Sequence, residues 1–366
     1  MKRTLAILGA TSWIGQQLCA RLIADGWDIY AVCRPSNAFL LEGIGVKILS
    51  EETDPTVNAF QTVVNLAFPA MVQAGDEEGA NKRILHRILS LAASDARIVH
   101  VSTVAIFGMP IVVPIQQRII PPRPDTQYVC SKIQIENWLF ASKCKRRIDI
   151  VRLGNVWGPA SDNWVIGIVE RLRHGQALGV RGVDGFSNIT DIANVIDYLC
   201  FLIEARDSSK TLRKIHHLAE FSNVRWSKYI SFLSQQVQIP CELSEFVPRN
   251  AESAAVEVQS ILKRAVLKDI QEGIRNARFS GSYYRSVRQR CPKWIFNSGS
   301  KLKNSISTAT FRTRDPLGSN DDVLQILSNQ VEFNLSVDPI WIPAVTLEES
   351  FSRVSRWLEC CGYTAK

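Results

Sequence analysis

The sequence predicts an α/β fold, a doubly wound parallel sheet with helices on both faces, joined to a smaller carboxyl-terminal region. Short apolar runs of strand length alternate with amphipathic helical stretches over roughly the first 240 residues. Their spacing fits right-handed β-α-β units, which place successive strands parallel to one another. The first apolar run also enters a glycine-containing turn that opens a helix, as phosphate-binding turns of such sheets do.

The elements can be assigned in order from the length and period of the apolar pattern. Strands are predicted at residues 4–8, 28–33, 46–49, 61–66, 97–101, 148–152 and 215–219. Helices are predicted at residues 14–24, 80–93, 164–174, 191–205 and 226–237, with a further one that contains Tyr128. A longer helix is predicted at residues 254–277, because apolar side chains recur there at helical spacing.

The composition indicates a globular chain with an uneven charge. Apolar residues make up 46% of the 366 residues, enough for a large core. The formal net charge of +8 arises at residues 251–314, which hold 13 Lys or Arg against 4 Asp or Glu. The nine cysteines are scattered without ligand spacing, so neither a disulfide framework nor a metal site is predicted. The first helix is too polar for a signal peptide, and no apolar run approaches the roughly 18 residues of a spanning helix, so the cytoplasm is the expected location.

A turn with two glycines has the features of a dinucleotide-binding site. It follows a strand and opens a helix, the context that the dinucleotide fingerprint needs. Gly9 allows the tight turn, Gly15 lets the helix and strand pack closely, and the helix amino terminus faces the pyrophosphate. The cofactor-binding residues predicted in this turn are Gly9, Thr11, Ser12, Trp13, Ile14 and Gly15.

The end of the second strand indicates which dinucleotide is bound. An acidic residue there would bind the ribose 2′-hydroxyl of NAD, whereas an Arg accommodates the 2′-phosphate of NADP. Cys33-Arg34 ends the strand, with no acid within two residues. NADP(H) is therefore favoured over NAD(H), and the alternative is that Arg34 is a solvated cation.

A Tyr and a Lys four residues apart form the candidate catalytic pair. Tyr128 and Lys132 lie on one face of a helix and can point into the same cleft. A phenol titrates at about pH 10, and a neighbouring cation lowers that value, which makes Tyr128 a usable acid or base. Thr103, at a strand end, would hold the substrate oxygen whose proton Tyr128 moves. The pair alone also fits an ordinary surface helix, but its place after the glycine turn and a strand ending in Ser102-Thr103 favours catalysis.

Six blocks in order resemble the extended short-chain dehydrogenase/reductase family, the group of NAD-dependent epimerases and dehydratases. They are L-G-A-T-S-W-I-G at 8–15, V-V-N-L-A at 63–67, V-S-T-V-A-I-F-G at 101–108, Y-V-C-S-K at 128–132, V-R-L-G-N-V-W-G-P at 151–159 and N-I-T-D-I-A at 188–193. A shorter match at 342–358 resembles the family's closing segment. The resemblance implies a Rossmann domain at 1–160, to which 187–220 return, a substrate-binding region at 161–250 and 320–366, and a basic helical insert at 251–319.

The resemblance also extends the cofactor site to other strand ends. Residues 65–67 resemble the turn under the adenine ribose, residues 154–156 the loop near the nicotinamide, and Asn81 the residue that supports the active-site helix. The further cofactor-binding residues implied are Asn65, Leu66, Ala67, Ser102, Tyr128, Lys132, Asn155 and Val156. Asn65 and Asn155 are equally explained as turn formers. Ser12 stands where the family has glycine, so its side chain is expected to weaken or shift dinucleotide binding.

The chemistry implied by the resemblance is hydride transfer at a carbinol or ketone carbon of a sugar or sugar nucleotide, in glycan or polysaccharide synthesis. Tyr128 would move the proton, Lys132 would lower its pKa and orient the ribose, and Thr103 or Ser102 would hold the reacting oxygen. Dehydratases of the family carry an acidic pair after the catalytic Thr, where this chain has V-A. A reductase or epimerase is therefore expected, and not a dehydratase.

The residues expected to contact the substrate are Ser102, Phe107, Asn155, Arg181 and Asn188. Phe107 stands where the family commonly has Tyr. Asn188 replaces an Arg-containing run that grips a nucleotide diphosphate, and Arg181 is the expected substitute. The missing run would also suit a lipid-linked sugar.

The basic insert has three interpretations. Residues 254–314 could form a subdomain over the substrate cleft, an oligomer contact, or a platform for an anionic membrane surface at the inner face of the membrane. No nucleic-acid motif accompanies the charge. The resemblance separately implies a homodimer through the helices at 81–93 and 128–142. The competing functional class is a non-catalytic dinucleotide-binding module, a redox sensor or an assembly subunit.

Overall fold

A computed structural model confirms the predicted fold class, with a seven-stranded parallel sheet at its centre. The structure describes residues 3–50, 59–69, 76–107, 127–142, 144–205, 212–245, 320–327, 332 and 337–364. The sheet strands, labelled in chain order, are β1 Thr4–Leu8, β2 Asp28–Cys33, β3 Lys47–Ser50, β4 Phe60–Asn65, β5 Ala92–Thr103, β6 Arg147–Leu153 and β10 Arg213–Leu218. Their order is β3-β2-β1-β4-β5-β6-β10, so the direction of winding reverses between β1 and β4. Ligands of doubly wound sheets bind at this reversal, outside the carboxyl ends of the strands.

Helices and short strands complete the described part of the chain. The helices are α1 Trp13–Ala24, α2 Glu77–Leu91, α3 Gln127–Ala141, α4 Gly167–Arg173, α5 Ile192–Glu204, α6 Trp226–Val237, α7 Asn320–Leu327 and α8 Leu347–Cys360. The short strands are β7 Asn155–Trp157, β8 Gly179–Val180, β9 Ile189–Asp191 and β11 Leu243–Ser244, which pair as β7-β9 and β8-β11. None of the helices described here is long and apolar enough to cross a membrane.

Successive side chains along each strand point to opposite faces of the sheet, and a hydrophobic core lies on each face. Leu5 and Ile7 of β1 belong to a cluster with α1 and α5, whereas Ala6 and Leu8 belong to a second cluster with α2 and α3. All four side chains are at most 4% exposed. Strands buried on both faces are continuous apolar runs, which is why the sequence pattern located them well.

A third core joins α4, α6, α7 and α8 beside the sheet. One contact that ties this core to α5 is made by Asp191 of β9, which caps α5 by accepting from the Ala193 N–H at 2.6 Å. The same carboxylate accepts from Ser350 and, at 2.7 Å, from Arg353, both on α8. Because Asp191 is fully buried, these contacts fix α8 against the start of α5. The division into a Rossmann domain and a substrate-binding region remains a prediction.

Most element boundaries differ from the sequence predictions by one to three residues, and two differences also change the local structure. Strand β5 begins at Ala92 rather than at residue 97, directly after α2. The helix predicted at 164–174 begins with one π turn at Asp162–Ile166, capped by Ser161, before α4 starts. The helix predicted at 254–277, and with it the basic insert at 254–314, lies outside the described residues.

Candidate active site

The glycine turn follows β1 and opens α1, as its sequence predicts, and it lies where the winding of the sheet reverses. Gly9 has φ +77°, a left-handed conformation that favours glycine. A Cβ atom on Gly9 would lie 2.7 Å from the backbone nitrogen of Ala67, and one on Gly15 would lie 2.4 Å from the carbonyl oxygen of Gly9. Both glycines therefore allow close backbone packing, Gly9 against the turn after β4 and Gly15 against its own turn.

Ser12 is the amino-terminal cap of α1, a role that its departure from the family pattern did not suggest. Its Oγ accepts a hydrogen bond from the Gly15 N–H at 3.1 Å, with Ser12 in an extended conformation. The N–H groups of Trp13 and Ile14 lie in the first turn, where a helix has no internal acceptors. Thr11 contributes its carbonyl oxygen to Gln16 Nε2 at 2.9 Å. The helix amino terminus thus keeps donors for an anion, although Ser12 occupies one of them.

The turn after β4 is held by Asn65, which agrees with the turn-former interpretation of this residue. The fully buried Asn65 accepts from the Ala67 N–H through Oδ1 at 3.1 Å, and its Nδ2 lies 2.8 Å from Nδ1 of His100 on β5. Leu66 is 9% exposed. Asn65 therefore shapes the turn, and Ala67 carries the backbone that approaches Gly9.

Thr103, Tyr128 and Lys132 converge at the carboxyl end of β5, as predicted. Thr103 accepts from the Ala105 N–H at 3.1 Å and forms a side-chain hydrogen bond with Tyr128. Lys132 Nζ lies 5.8 Å from the centroid of the Tyr128 ring, and it donates to the carbonyl oxygens of Val101 at 2.9 Å and Ala67 at 3.4 Å. The triad therefore joins the ends of β4 and β5 to α3.

The pKa values of the pair are set mainly by burial. Burial raises the pKa of Tyr128, and the hydrogen bond with Thr103 partly offsets this. Tyr128 nevertheless keeps 39% of its surface exposed, so the residue remains accessible from outside the protein. Burial lowers the pKa of Lys132 to about 8, and Glu136 opposes this. The expectation that Lys132 lowers the pKa of Tyr128 is not met here, because the ammonium is directed at backbone carbonyls.

Asn81 supports the active-site helix, as the resemblance implies. Asn81 is 1% exposed on α2; its Nδ2 donates to Gln134 at 2.7 Å, and its Oδ1 accepts from Ser131. Both partners lie on α3 near Lys132. These hydrogen bonds fix the rotation of α3 and hence the direction of its catalytic face.

The loop after β6 reaches the same edge of the sheet. Thr103 pairs with Leu153 at the end of β6, and Asn155 follows two residues later. The Asn155 N–H donates to the carbonyl oxygen of Asn188, and its Nδ2 donates to Ser187 at 2.7 Å. Asn188 has φ +45° and is 2% exposed, with its amide donating to Phe186 at 3.3 Å. Both Asn side chains therefore shape turns, while Val156 packs against the sheet core.

Three other predicted residues lie in different surroundings. Phe107 is 4% exposed and packs between the ring of His217 and the guanidinium of Arg152. It is therefore a packing residue near the site rather than an exposed substrate contact. Arg181 is exposed and pairs with Glu245, and in the described part of the chain no contact joins it to the triad. Arg34 is exposed directly after β2, where a 3₁₀ turn begins at Pro35.

Sequence reasoning missed a buried ion pair under the site. Glu136 and Arg152 are 4% and 3% exposed, and they are joined by two hydrogen bonds of 2.6 and 3.2 Å. A signal was present, since Glu136 continues the four-residue spacing of Tyr128 and Lys132, and Arg152 interrupts an apolar strand. The hydroxyl of Ser102, 1% exposed, has no hydrogen-bond partner among the described residues.

The glycine turn, the open helix terminus and the unpartnered Ser102 hydroxyl together fit a dinucleotide. The fold and the site thus define a dinucleotide-binding α/β protein with a Thr–Tyr–Lys group at the carboxyl edge of its sheet. Residues 5–216 match the family model described as the NAD dependent epimerase/dehydratase family. The chain belongs to this family, as the resemblance predicted.

Three known proteins illustrate what this chain is similar to. The dTDP-6-deoxy-L-talose 4-dehydrogenase (NAD(P)(+)) of Kitasatospora kifunensis is 26% identical over 263 residues, which cover 66% of this chain and 81% of that protein. The enzyme WbmG of Bordetella bronchiseptica, solved in complex with NAD, is 14% identical with a TM-score of 0.54, covering 100% of this chain and 96% of its own. A UDP-glucuronic acid 4-epimerase variant from Bacillus cereus, solved with NAD and a UDP-sugar analogue, is 15% identical with a TM-score of 0.50, covering 66% and 85%. The two structures share the fold with this chain.

Proposed function

We propose that this chain is an NAD(P)-dependent reductase or epimerase that acts at a carbinol or ketone carbon of a sugar nucleotide, with Tyr128 as the acid or base. The observation that carries the proposal is the convergence of Thr103, Tyr128 and Lys132 beside the glycine turn. A dinucleotide-binding module without chemistry needs none of these three contacts. The K. kifunensis relative, named as a dehydrogenase of a nucleotide-linked sugar, supports the substrate class.

The hydrogen-bond directions suit proton transfer at Tyr128. Because Thr103 Oγ1 already accepts from the Ala105 N–H, its own proton is available to the Tyr128 oxygen or to a substrate oxygen beside it. Tyr128 is also partly exposed, so a substrate can reach it. A substrate hydroxyl could therefore exchange its proton with the phenol, while Thr103 holds the oxygen in place.

The dinucleotide would be held by the chain's own backbone and by Lys132. Gly9, Gly15 and the first turn of α1 would bind the pyrophosphate, and Lys132 would orient the nicotinamide ribose. The nicotinamide supplies or accepts the hydride when it is bound. The exposed Arg34 directly after β2 favours NADP(H), with NAD(H) as the alternative.

Dehydration is not part of the proposal. Val104 and Ala105 follow Thr103, and neither side chain can donate or accept a proton. Val104 is also 5% exposed and packs with Ile106 and Phe107. Elimination of water would need an acid and a base at this point of the site.

The first experiment identifies the cofactor and then the reaction. The purified protein is denatured, any released dinucleotide is identified, and the emptied protein is titrated with NADPH and NADH. Tightly held NAD would indicate an epimerase that recycles its own hydride, and preferential NADPH binding would indicate a reductase. A protein that binds neither dinucleotide would refute the proposal.

The second experiment removes the phenol. Tyr128→Phe is expected to lower turnover of a responsive nucleotide sugar about 10²- to 10⁴-fold and to leave dinucleotide binding intact. Tyr30→Phe is the matched control, because the Tyr30 ring lies on β2 against Phe60. Unchanged turnover in Tyr128→Phe would exclude Tyr128 as the acid or base.

A further inference from the structure

A buried ion pair lies on the catalytic face of α3, beyond the three residues of the proposed chemistry. Tyr128, Lys132 and Glu136 follow one another at four-residue spacing, so they share one face of the helix. Glu136 is bound by Arg152 of β6 in a two-pronged arrangement, Nη2 to Oε2 at 2.6 Å and Nε to Oε1 at 3.2 Å. Both side chains are at most 5% exposed.

Arg152 is itself fixed from two sides. Its Nη1 lies 3.4 Å from Nε2 of His217 on β10, and its guanidinium carbon lies 5.3 Å from the centroid of Phe107. Burial and the neighbouring Arg152 lower the pKa of His217 to about 4, so this imidazole is neutral at physiological pH and can accept from Arg152. The position of the Glu136 carboxylate is therefore determined by a rigid set of contacts.

Within the described part of the chain, few charged or titratable groups lie near Lys132. On α3, Tyr128 lies one turn before Lys132 and Glu136 one turn after it. On β5, Lys132 is near His100, and burial together with Lys132 holds the pKa of His100 well below its usual range. The hydrogen-bond acceptors of its ammonium are neutral backbone carbonyls at the ends of β4 and β5. Among the described residues, Glu136 is the carboxylate that acts on this ammonium.

Burying an ion pair is costly, and apolar residues of similar size often stabilise a fold better. A carboxylate next to a buried ammonium favours the protonated amine, whereas burial favours the neutral one. At a pKa of about 8, Lys132 is charged in roughly nine-tenths of molecules at pH 7. Loss of the Glu136 carboxylate would move the pKa of Lys132 toward neutral pH, so that a larger fraction of the molecules would carry a neutral Lys132 at pH 7.

We propose that Glu136, held in place by Arg152, is a positioning residue that keeps Lys132 protonated through neutral pH. The ion pair acts through Lys132 and does not contact the reacting atoms. The consequence for turnover rests on the proposed function, since only there does the charge of Lys132 serve chemistry. The charge state itself can be measured without turnover.

The test follows the ionisation of Lys132 directly. The dinucleotide-free protein is labelled with ¹³C at the ε-carbon of lysine, the Lys132 signal is assigned by its loss in Lys132→Met, and its chemical shift is followed from pH 6 to 10. Glu136→Gln is expected to lower the titration midpoint by about one pH unit, so that about half of the molecules are charged at pH 7. Glu170→Gln, which removes a surface carboxylate paired with Arg173, is the control and should leave the midpoint unchanged.

Two further variants separate charge from folding. Glu136→Gln combined with Arg152→Met leaves no unpaired buried cation, and because it also removes the positive charge of Arg152 it should lower the midpoint less than Glu136→Gln alone. Glu136→Asp keeps the negative charge and should bring the midpoint part of the way back to the wild-type value. A midpoint that is unchanged in both Gln variants would overturn the inference whatever the turnover. A lowered midpoint with an equal downward shift of the alkaline limb of kcat/KM supports the role in turnover. A lowered midpoint in a protein without detectable turnover supports the inference and counts against the proposed function.

Discussion

Replacing Lys132 by Met should stabilise the protein at neutral pH. Burial lowers the pKa of Lys132 from 10.5 to about 8, so the folded state disfavours the ammonium that the unfolded chain carries freely. At about 1.4 kcal/mol per pH unit this costs about 3 kcal/mol of unfolding free energy at pH 7. The hydrogen bonds to Val101 and Ala67 return about 1 kcal/mol each at most, so a net gain of about 1–3 kcal/mol is expected for Lys132→Met.

The sign of the pH dependence makes this test specific. Between pH 8 and 10.5 the unfolded chain binds a proton at Lys132 that the folded protein has released, so the stability of the wild type rises with pH across this window. The advantage of Lys132→Met is therefore largest below pH 8 and shrinks as the pH rises. Urea unfolding of both proteins at pH 7, 8, 9 and 9.5, without dinucleotide, measures the difference.

Lys47→Met is the control for this experiment. Lys47 is an exposed lysine whose pKa is raised by its hydrogen bond to Asp28, so its contribution is small and has the opposite sign. A difference between wild type and Lys132→Met that is independent of pH, or that widens above pH 8, would show that Lys132 is not a buried cation with a lowered pKa.

Substitutions at three other positions test contacts within the fold. Gly15→Ala places a methyl group 2.4 Å from a backbone carbonyl oxygen and should lower the unfolding free energy by about 1–3 kcal/mol, which thermal unfolding would detect. Ser12→Ala should lower the unfolding free energy by about 1 kcal/mol because it removes the cap of α1, whereas Ser12→Gly should lower it by only a few tenths of a kcal/mol. If the Ser12 side chain obstructs the dinucleotide, the Ser12→Gly protein should also bind the dinucleotide more tightly in a fluorescence titration. Asp191→Ala should cost about 3 kcal/mol or more in urea unfolding, because it leaves the Arg353 guanidinium without its partner, whereas the exposed-pair control Asp25→Ala should cost less than about 1 kcal/mol.

Much of the sheet could be predicted because its strands are buried on both faces. Strands β1 and β2 match the predicted ranges in full, and α6 matches as well, since each is bounded by a clear change in pattern. The short strands β8 and β11 were missed, because two residues leave no periodicity to detect. The π turn before α4 was missed for a similar reason, as apolar spacing does not distinguish it from an α-helix.

The candidate site was predicted where chemistry dictates residue type, and less well where packing decides. The spacing of Tyr128 and Lys132 placed both on α3, and the structure brings Thr103 to them. The direction of the Lys132 ammonium depends on carbonyls from two other strands, which no local pattern reveals. Phe107 likewise becomes buried through Arg152, a contact between residues 45 positions apart in sequence.

The anchoring of α8 has a consequence for how the chain is made. Asp191 is fully buried, yet the hydroxyl and the guanidinium that it binds come from residues about 160 positions later. During synthesis this carboxylate is thus exposed to water until α8 has been translated, and the third core cannot close before then. A nascent chain at that stage would expose the apolar faces of α4 and α6 that α7 and α8 later cover, so we expect chaperones to bind it in this interval.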